Sequence, residues 1–400
     1  MKIADLRVRE VSVPRIYETH SSTPNLLHTD TDHTHSRYQI LELFTDDGRV
    51  GLGEVSDIAD RMNPLPAPDL RNLLADLLLG SDVAHWRALY ERVADALPAA
   101  FHPELKSLTL FGVEIALLDL VGKAYGAALY ELLGGRYHDR VDVCWVAYLR
   151  GDISLEEELG AFGQEIEEKV GEGLKAFKLK VGGDHSRDLE RIRLFRKIAG
   201  PDLYLKVDAS GAWEEAEAIQ KIGDMATAGA NACETPVVAA NRPVANDNPE
   251  QINQNADGVA ASLARVREAS PIHIIEHVAD LADRFSAALV RHRAVDVVNV
   301  IPSQAGGLMR SQRLIHGAET AGIPVLLGST IEMGPGTAAF LHLAVASKNV
   351  TVPSDLISPE LLVDDICKTP FRFDNGTLRP FQKPGLGVEL DGAKMEKWGI

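Results

Sequence analysis

The sequence predicts an α/β protein: a closed (β/α)8-type barrel preceded by a small α+β domain. Two observations carry this. After residue 135, short apolar strand candidates recur at 143–147, 176–181, 203–207, 230–233, 272–275, 295–301, 324–327 and 350–352. Helical segments (155–171, 187–199, 213–225, 259–268 and 312–321) separate most of them. Strands this apolar have no wet face, which argues for a parallel sheet covered on both sides, and eight βα units close into a barrel. The rival, a doubly wound open sheet, usually carries a Gly-rich phosphate turn after its first strand, and this sequence has none.

Residues 1–135 form the α+β domain. Segments 3–14 and 38–55 alternate, and Thr45-Asp46-Asp47-Gly48 supplies Asp-Gly hairpin chemistry. Between them, residues 18–36 are polar, with His20, His28, His33 and His35 and no hydrophobic period. A loop this long is expected to cover a site as a lid, and its histidine spacing fits no helical or finger metal template. Helical patterns follow at 69–79, 84–97 and 107–125, the last with Leu110, Val113, Ala116, Leu117, Leu120 and Ala124 on one face. The barrel units occupy 136–365. Residues 236–258 interrupt their rhythm with Pro243, Pro249, Asn241, Asn246, Asn248, Asn253 and Asn255, which is loop chemistry: a second lid, or a contact between copies. In the closing segment, 366–400, the Asp374-Asn375-Gly376 turn within 371–378 predicts a hairpin returning to the N-terminal domain.

Charge and composition exclude several classes of partner. The chain has 400 residues, 41 Lys+Arg against 58 Asp+Glu, and a formal net charge of −17. Such a surface repels phosphate backbones, so no nucleic-acid partner is expected. No apolar run approaches the roughly 20 residues of a membrane helix, so no membrane contact is expected either. Cys144, Cys233 and Cys367 are scattered, and the leading MKIADLRVRE has no apolar signal core. Both features point to the cytoplasm.

Chemistry concentrates at the C-terminal ends of barrel strands. Read in order, those ends offer Tyr148 and Arg150, Lys178 and Lys180, Asp208, Glu234, Glu276, Gln304, Glu332 and Asp355. Three successive strands end in a carboxylate. One such acid alone reads equally well as a first-turn residue favoured by the helix dipole. Three converging acids would repel one another unless a cation sat among them, and an all-oxygen set suits a hard ion such as Mg²⁺. Lys178 and Lys180 share a face, being two apart on a strand. Mutual repulsion and burial are expected to lower their pKa values, which would make a lysine a usable base near neutrality. Lys180 lies roughly 6.6 Å nearer the mouth, from a rise of about 3.3 Å per residue. It is therefore the better base, and Lys178 the modulator and contact for a substrate carboxylate.

These residues resemble the enolase superfamily, in its mandelate racemase and muconate-lactonizing-enzyme branch. The resemblance rests on LFGVEIALLDLVGKAYGAALYELLGG, AFKLKVGGD, VDASGAW, CETP, IIEHV, SQAGGL, GTAAFLHLA and ELLVDDI…PGLGVEL, in order along almost the whole chain. It implies a modified TIM barrel under an α+β capping domain. It also implies Mg²⁺ held by Asp208, Glu234 and Glu276, with a lysine base drawing the proton α to a carboxylate to give an enediolate. Members of this branch often carry a second base across the site. Counting back from Gly306-Gly307, its lysine position falls on Ile301, and a strand-seven histidine would fall on Gly328.

With one base, the leading expectation is a dehydratase acting on a small hydroxy or amino carboxylate, with Lys180 as base. The alternatives are an isomerase of the same family (racemase, epimerase or muconate-type cycloisomerase) and a non-catalytic carboxylate-binding barrel. Gln304, Glu332, Asp355 and Tyr148 are expected to touch substrate, and Lys206 to tune the site or balance its charge. The expected partners are a small-molecule carboxylate and further copies of the chain, as a homo-oligomer.

Overall fold

The structure, a computed structural model, describes residues 1–20, 33–150, 153–237, 249–278 and 283–400, with backbone alone for 249–254 and 283. Most of the predicted His-rich lid and part of the Asn-rich insertion lie outside these residues.

Strands β1 (Ile3–Pro14), β2 (His35–Thr45) and β3 (Val50–Val55) form an antiparallel meander. Helices α1 (Ala67–Leu78), α2 (Trp86–Ala96) and α3 (Pro103–Tyr125) follow. The α3 helix starts four residues before the predicted 107, because Pro103 fits its first turn and His102 accepts from the Glu104 N–H as N-cap. It is buried almost all round, since it lies between the meander and the barrel rather than on a surface. Glycines permit that approach. A Cβ on Gly51 or Gly53 would strike the Ala116 or Gly112 carbonyl of α3, and one on Gly112 would come within 2.8 Å of the Glu54 oxygen. A short α4 (Leu129–Leu132) leads to the barrel.

β4 (Val141–Asp142) sits beneath the barrel, which begins with β5 (Cys144–Ala147) and α5 (Leu155–Gly171). The units continue with β6 (Ala176–Lys180), α6 (His185–Ala199), β7 (Tyr204–Asp208), α7 (Glu215–Ala228), β8 (Ala232–Glu234) and α8 (Pro249–Ala269). Then come β9 (His273–Val278), α9 (Asp283–Arg291), β10 (Val297–Val300), α10 (Leu308–Thr320), β11 (Val325–Leu327) and α11 (Gly334–Val345). The strands run β11-β10-β9-β8-β7-β6-β5, all neighbours parallel.

Three sequence expectations need correction. The eighth strand at 350–352 does not form. The sheet is closed instead by the single bridges Val325–Val350 and Val143–Ser354, which makes the barrel a modified one. Residues 249–258 are not loop but the start of α8, with Pro249 at its first position, where a missing N–H is harmless. The 371–378 hairpin shrinks to β12 (Thr377–Leu378), after α12 (Ser358–Leu361). β12 pairs with β4, and the Asn375-Gly376 turn runs at positive φ. After α13 (Gly392–Lys397), the chain reaches β1: the Ser12 N–H donates to the Trp398 carbonyl at 2.9 Å.

Candidate active site

Parallel register decides which side chains meet. Lys180 pairs with Asp208, and Asp208 with Glu234, so the three stand abreast at the C-terminal ends of β6, β7 and β8. One layer deeper, Lys178 lies beside Lys206. Lys180 Nζ reaches Asp208 Oδ2 at 2.7 Å, with Ser210 Oγ at 3.5 Å. Lys178 Nζ contacts Asp355 Oδ2 at 2.7 Å, and Asp208 Oδ2 and Glu234 Oε2 at 3.1 Å each. The fully buried Lys206 bridges Asp355 Oδ1 at 2.9 Å and Glu234 Oε2 at 3.3 Å. Asn299 of β10 donates to Glu234 Oε1 at 2.7 Å. Three ammonium groups therefore interlock with three carboxylates.

This lattice overturns the expected fall of the Lys178 pKa. Burial pulls it down, but Asp355, Glu234 and Asp208 outweigh burial and hold it well above the usual lysine value. Lys206 is raised in the same way by Asp355 and Glu234 against burial. Burial pushes Asp208 up, yet Lys180 and Lys178 draw it well below the usual carboxylate range. Asp355 is likewise lowered by Lys178 and Lys206 against burial. Lys178 is thus a fixed cation.

Glu276 takes a different place. Ile275, not Glu276, pairs with Glu234, and Glu276 Oε1 accepts from Thr235 Oγ1 at 3.3 Å. Thr235 and Ser210, just past the two strand-end acids, hold φ of 44° and 50°. Such strain costs about 1–3 kcal/mol in a β-branched residue and clusters at working sites. The donor set of Asp208, Glu234 and Glu276 is all carboxylate oxygen, which fits a hard divalent cation. Among the described residues, no three His, Cys, Asp or Glu side chains converge in ligating geometry, and the lysines supply the counter-charge.

The second-base positions come together as a closed wall. A Cβ on Gly328 would lie 2.6 Å from both Ile301 Cγ1 and Asn299 Oδ1, so a side chain at 328 would require these two neighbours to shift. The half-buried Tyr148 has its phenol pushed up to about 12 by burial, with Arg15 and Lys178 pulling the other way. Arg15 is a capping-domain residue that sequence reasoning missed; its guanidinium donates to Asp57 at 2.8 Å and Ser36 at 2.9 Å. Also missed was the seam where Arg150 lies 3.5 Å over the Tyr17 ring and bonds Glu165 at 2.6 Å. Nothing in the local pattern signals these pairs, which join residues far apart in sequence.

Two predicted substrate contacts are engaged elsewhere. Gln304 donates to Glu104 of α3 at 2.8 Å. Glu332 is buried under donors: Ser303 Oγ at 2.9 Å, the Thr330 N–H at 2.8 Å, Thr330 Oγ1 at 2.6 Å and Ser329 Oγ at 2.6 Å. His185 pairs with Asp224 in the outer helix layer. No helix among the described residues is long and apolar enough to cross a membrane.

Comparison with known proteins bears on both domains. A family model described as the mandelate racemase / muconate lactonizing enzyme N-terminal domain matches residues 11–134, and the enolase C-terminal domain-like model matches 161–394. A muconate cycloisomerase of Acinetobacter lwoffii is 27% identical over 365 residues, 90% of this chain and 88% of the relative. The L-Ala-D/L-Glu epimerase of Bacillus subtilis is 26% identical over 87% of this chain and 88% of its own length. Among solved structures, the muconate lactonizing enzyme of Pseudomonas fluorescens in complex with muconolactone superposes with a TM-score of 0.81 at 24% identity, covering 100% of this chain and 99% of that one. The chain belongs to the mandelate racemase/muconate lactonizing enzyme branch of the enolase superfamily.

Proposed function

We propose that this protein is a one-base isomerase of the cycloisomerase type, with Lys180 moving a proton on one face of a carbon α to a substrate carboxylate. One observation carries the reading: Lys180 stands at the mouth beside Asp208, while the positions for an opposing base hold Ile301 and Gly328, neither of which can accept a proton. A racemase needs a proton acceptor on one face and a donor on the other; a cycloisomerase needs only one. The relatives are cycloisomerases, racemases and epimerases, which favours isomerisation over the dehydration expected first.

In the ring-closing direction, a carboxylate oxygen of the substrate adds to its own double bond, and the electron pair moves to the carbon α to the other carboxylate. The Lys180 ammonium delivers its proton to that carbon; in reverse, the free amine removes it and the C–O bond breaks. Asp208 aims the Lys180 nitrogen through their 2.7 Å contact. Lys178, held charged, supplies a fixed positive field for the substrate carboxylate. Asp208, Glu234 and Glu276 would hold Mg²⁺, which would supply Lewis-acid stabilisation of the enediolate charge.

The test is a panel of muconate, chloromuconate, L-Ala-L-Glu and N-succinyl-L-Lys with Mg²⁺ in D₂O. Loss of the muconate diene with a single deuterium on the lactone is expected, and Lys180→Met should slow it about 10³-fold or more, within the range of a lost general acid–base. Deuterium in an inverted dipeptide or N-succinyl product would overturn the one-base reading.

A further inference from the structure

Two glycine motifs, SQAGGL and the GPGTAA that opens α11, take no part in the chemistry above. Their geometry links them to two acids of the capping domain. Glu114 of α3 accepts from the Leu308 and Met309 N–H groups, the free donors at the start of α10. Gly307, at φ 142°, lies against it: a Cβ there would collide with the Glu114 carboxylate. Glu54 of β3 accepts from the Met333 N–H and the Gly336 N–H at 2.9 Å each, at the start of α11. A Cβ on Gly336 would press on both Glu54 and Glu332.

Two phenols reinforce the same loops from the same side. Tyr90 donates to the Gly306 carbonyl at 2.7 Å, and Tyr38 to the Ile331 carbonyl at 2.6 Å. Ile331 is a β-branched residue at φ 63°, a conformation that persists only when its surroundings impose it. The loops so held follow β10 and β11 and carry Ile301, Ser303, Gly328 and Thr330. Within the barrel, Glu332 also holds them, through Ser303 and Thr330.

We infer that Glu54 and Glu114 are positioning residues of the barrel mouth, each acting through the backbone N–H groups of one barrel helix to set the loop that walls the reacting carbon. The capping domain thereby shapes the catalytic wall from behind as well as covering the mouth. The kinetic part of this inference rests on the proposed function; the structural part does not.

Amide hydrogen exchange on the intact chain separates the two. Glu114→Ala should accelerate exchange in residues 303–310 by about tenfold or more and spare 329–337, with the converse for Glu54→Ala. Glu114→Gln should retain protection, because one amide oxygen can accept both N–H groups. With muconate as probe, Glu114→Ala should raise KM roughly tenfold to a hundredfold with a smaller change in kcat, and Glu114→Gln should restore it. If Glu114→Ala does not fold, Glu114→Asp makes the same test by withdrawing the carboxylate from the two N–H groups. Unchanged exchange in Glu114→Ala or Glu114→Asp, or a Glu114→Gln variant as damaged as Glu114→Ala, would overturn the inference. Absence of muconate turnover in the parent enzyme would count against the proposed function, and the exchange data would still decide the positioning role.

Discussion

The two sides of the barrel mouth are built on opposite electrostatic plans. On the β6–β8 side, buried charges face buried charges: Lys178, Lys180 and Lys206 against Asp208, Glu234 and Asp355. On the β10–β11 side, buried acids are held by neutral donors, Glu332 by three hydroxyls and Glu54 by backbone N–H groups and the Ser56 hydroxyl. The first plan fixes ionisation and supports proton transfer and carboxylate binding. The second fixes shape. Its groups are held by hydrogen bonds that do not compensate a full charge, so burial dominates their titration.

The largest effect should come from removing one member of the charged lattice. Lys206→Met leaves Asp355 and Glu234 short of a buried counter-charge, and a loss of about 3–5 kcal/mol is expected in urea unfolding. A loss under about 1 kcal/mol would mean the lattice is not cooperative and that Lys178 alone balances the acids.

The neutral side should reveal itself through pH. His342 of α11 is fully buried, accepts from the Tyr130 N–H at Nδ1, and lies 3.2 Å from the Leu386 carbonyl at Nε2; burial lowers its pKa to about 4. It is neutral in the fold, so its contribution is present above the unfolded value of about 6.5 and is lost as pH falls through about 4, by roughly 3 kcal/mol in all. Glu54 and Glu114 are pushed by burial to about 8 and about 7. Their contribution is present below the unfolded value near 4.5 and declines as pH rises through 7 to 8. Below about pH 6.5 the two carboxyls together outweigh His342, so these groups should make the melting temperature fall as pH rises from about 5 to 9. His342→Gln should steepen that fall and Glu54→Gln should flatten it. A slope unchanged by these substitutions would assign the pH dependence to the charged side instead.

The smallest expected effect tests the closed wall between the two plans. Gly328→Ala places a methyl 2.6 Å from Ile301 and Asn299. Overpacking of this kind costs about 1–3 kcal/mol. Because Asn299 donates to Glu234, the same change should weaken substrate binding as well as stability. Wild-type stability and KM in this variant would show that the wall yields, and that an opposing side chain could be accommodated.

Much of the barrel was legible because short apolar runs and strand ends are local properties. The strands at 176–181 and 324–327 were read within a residue or two, and Lys178, Lys180, Asp208 and Glu234 lie at the strand ends where the sequence put them. Helix α11 was not read as a helix. It opens with Gly-Pro-Gly and is buried on every side, so it shows no 3.6-residue period. α9 is only nine residues long and escaped notice for lack of length. The 350–352 run is apolar enough for a strand, but it forms single bridges because the ring closes around it.

What the sequence by itself determined is therefore the order of the elements and the inventory of strand-end chemistry, both set by periodicity over a few residues. Only the tertiary structure decided the charge of Lys178, since the sequence shows its lysine neighbour and not Asp355, 177 positions away, whose oxygen lies 2.7 Å from its nitrogen. The same holds for Glu276, turned to Thr235 by a one-residue difference in register, and for Glu54 and Glu114, whose partners lie across a domain seam. Electrostatic energy depends on distance in space, and distance along the chain does not report it.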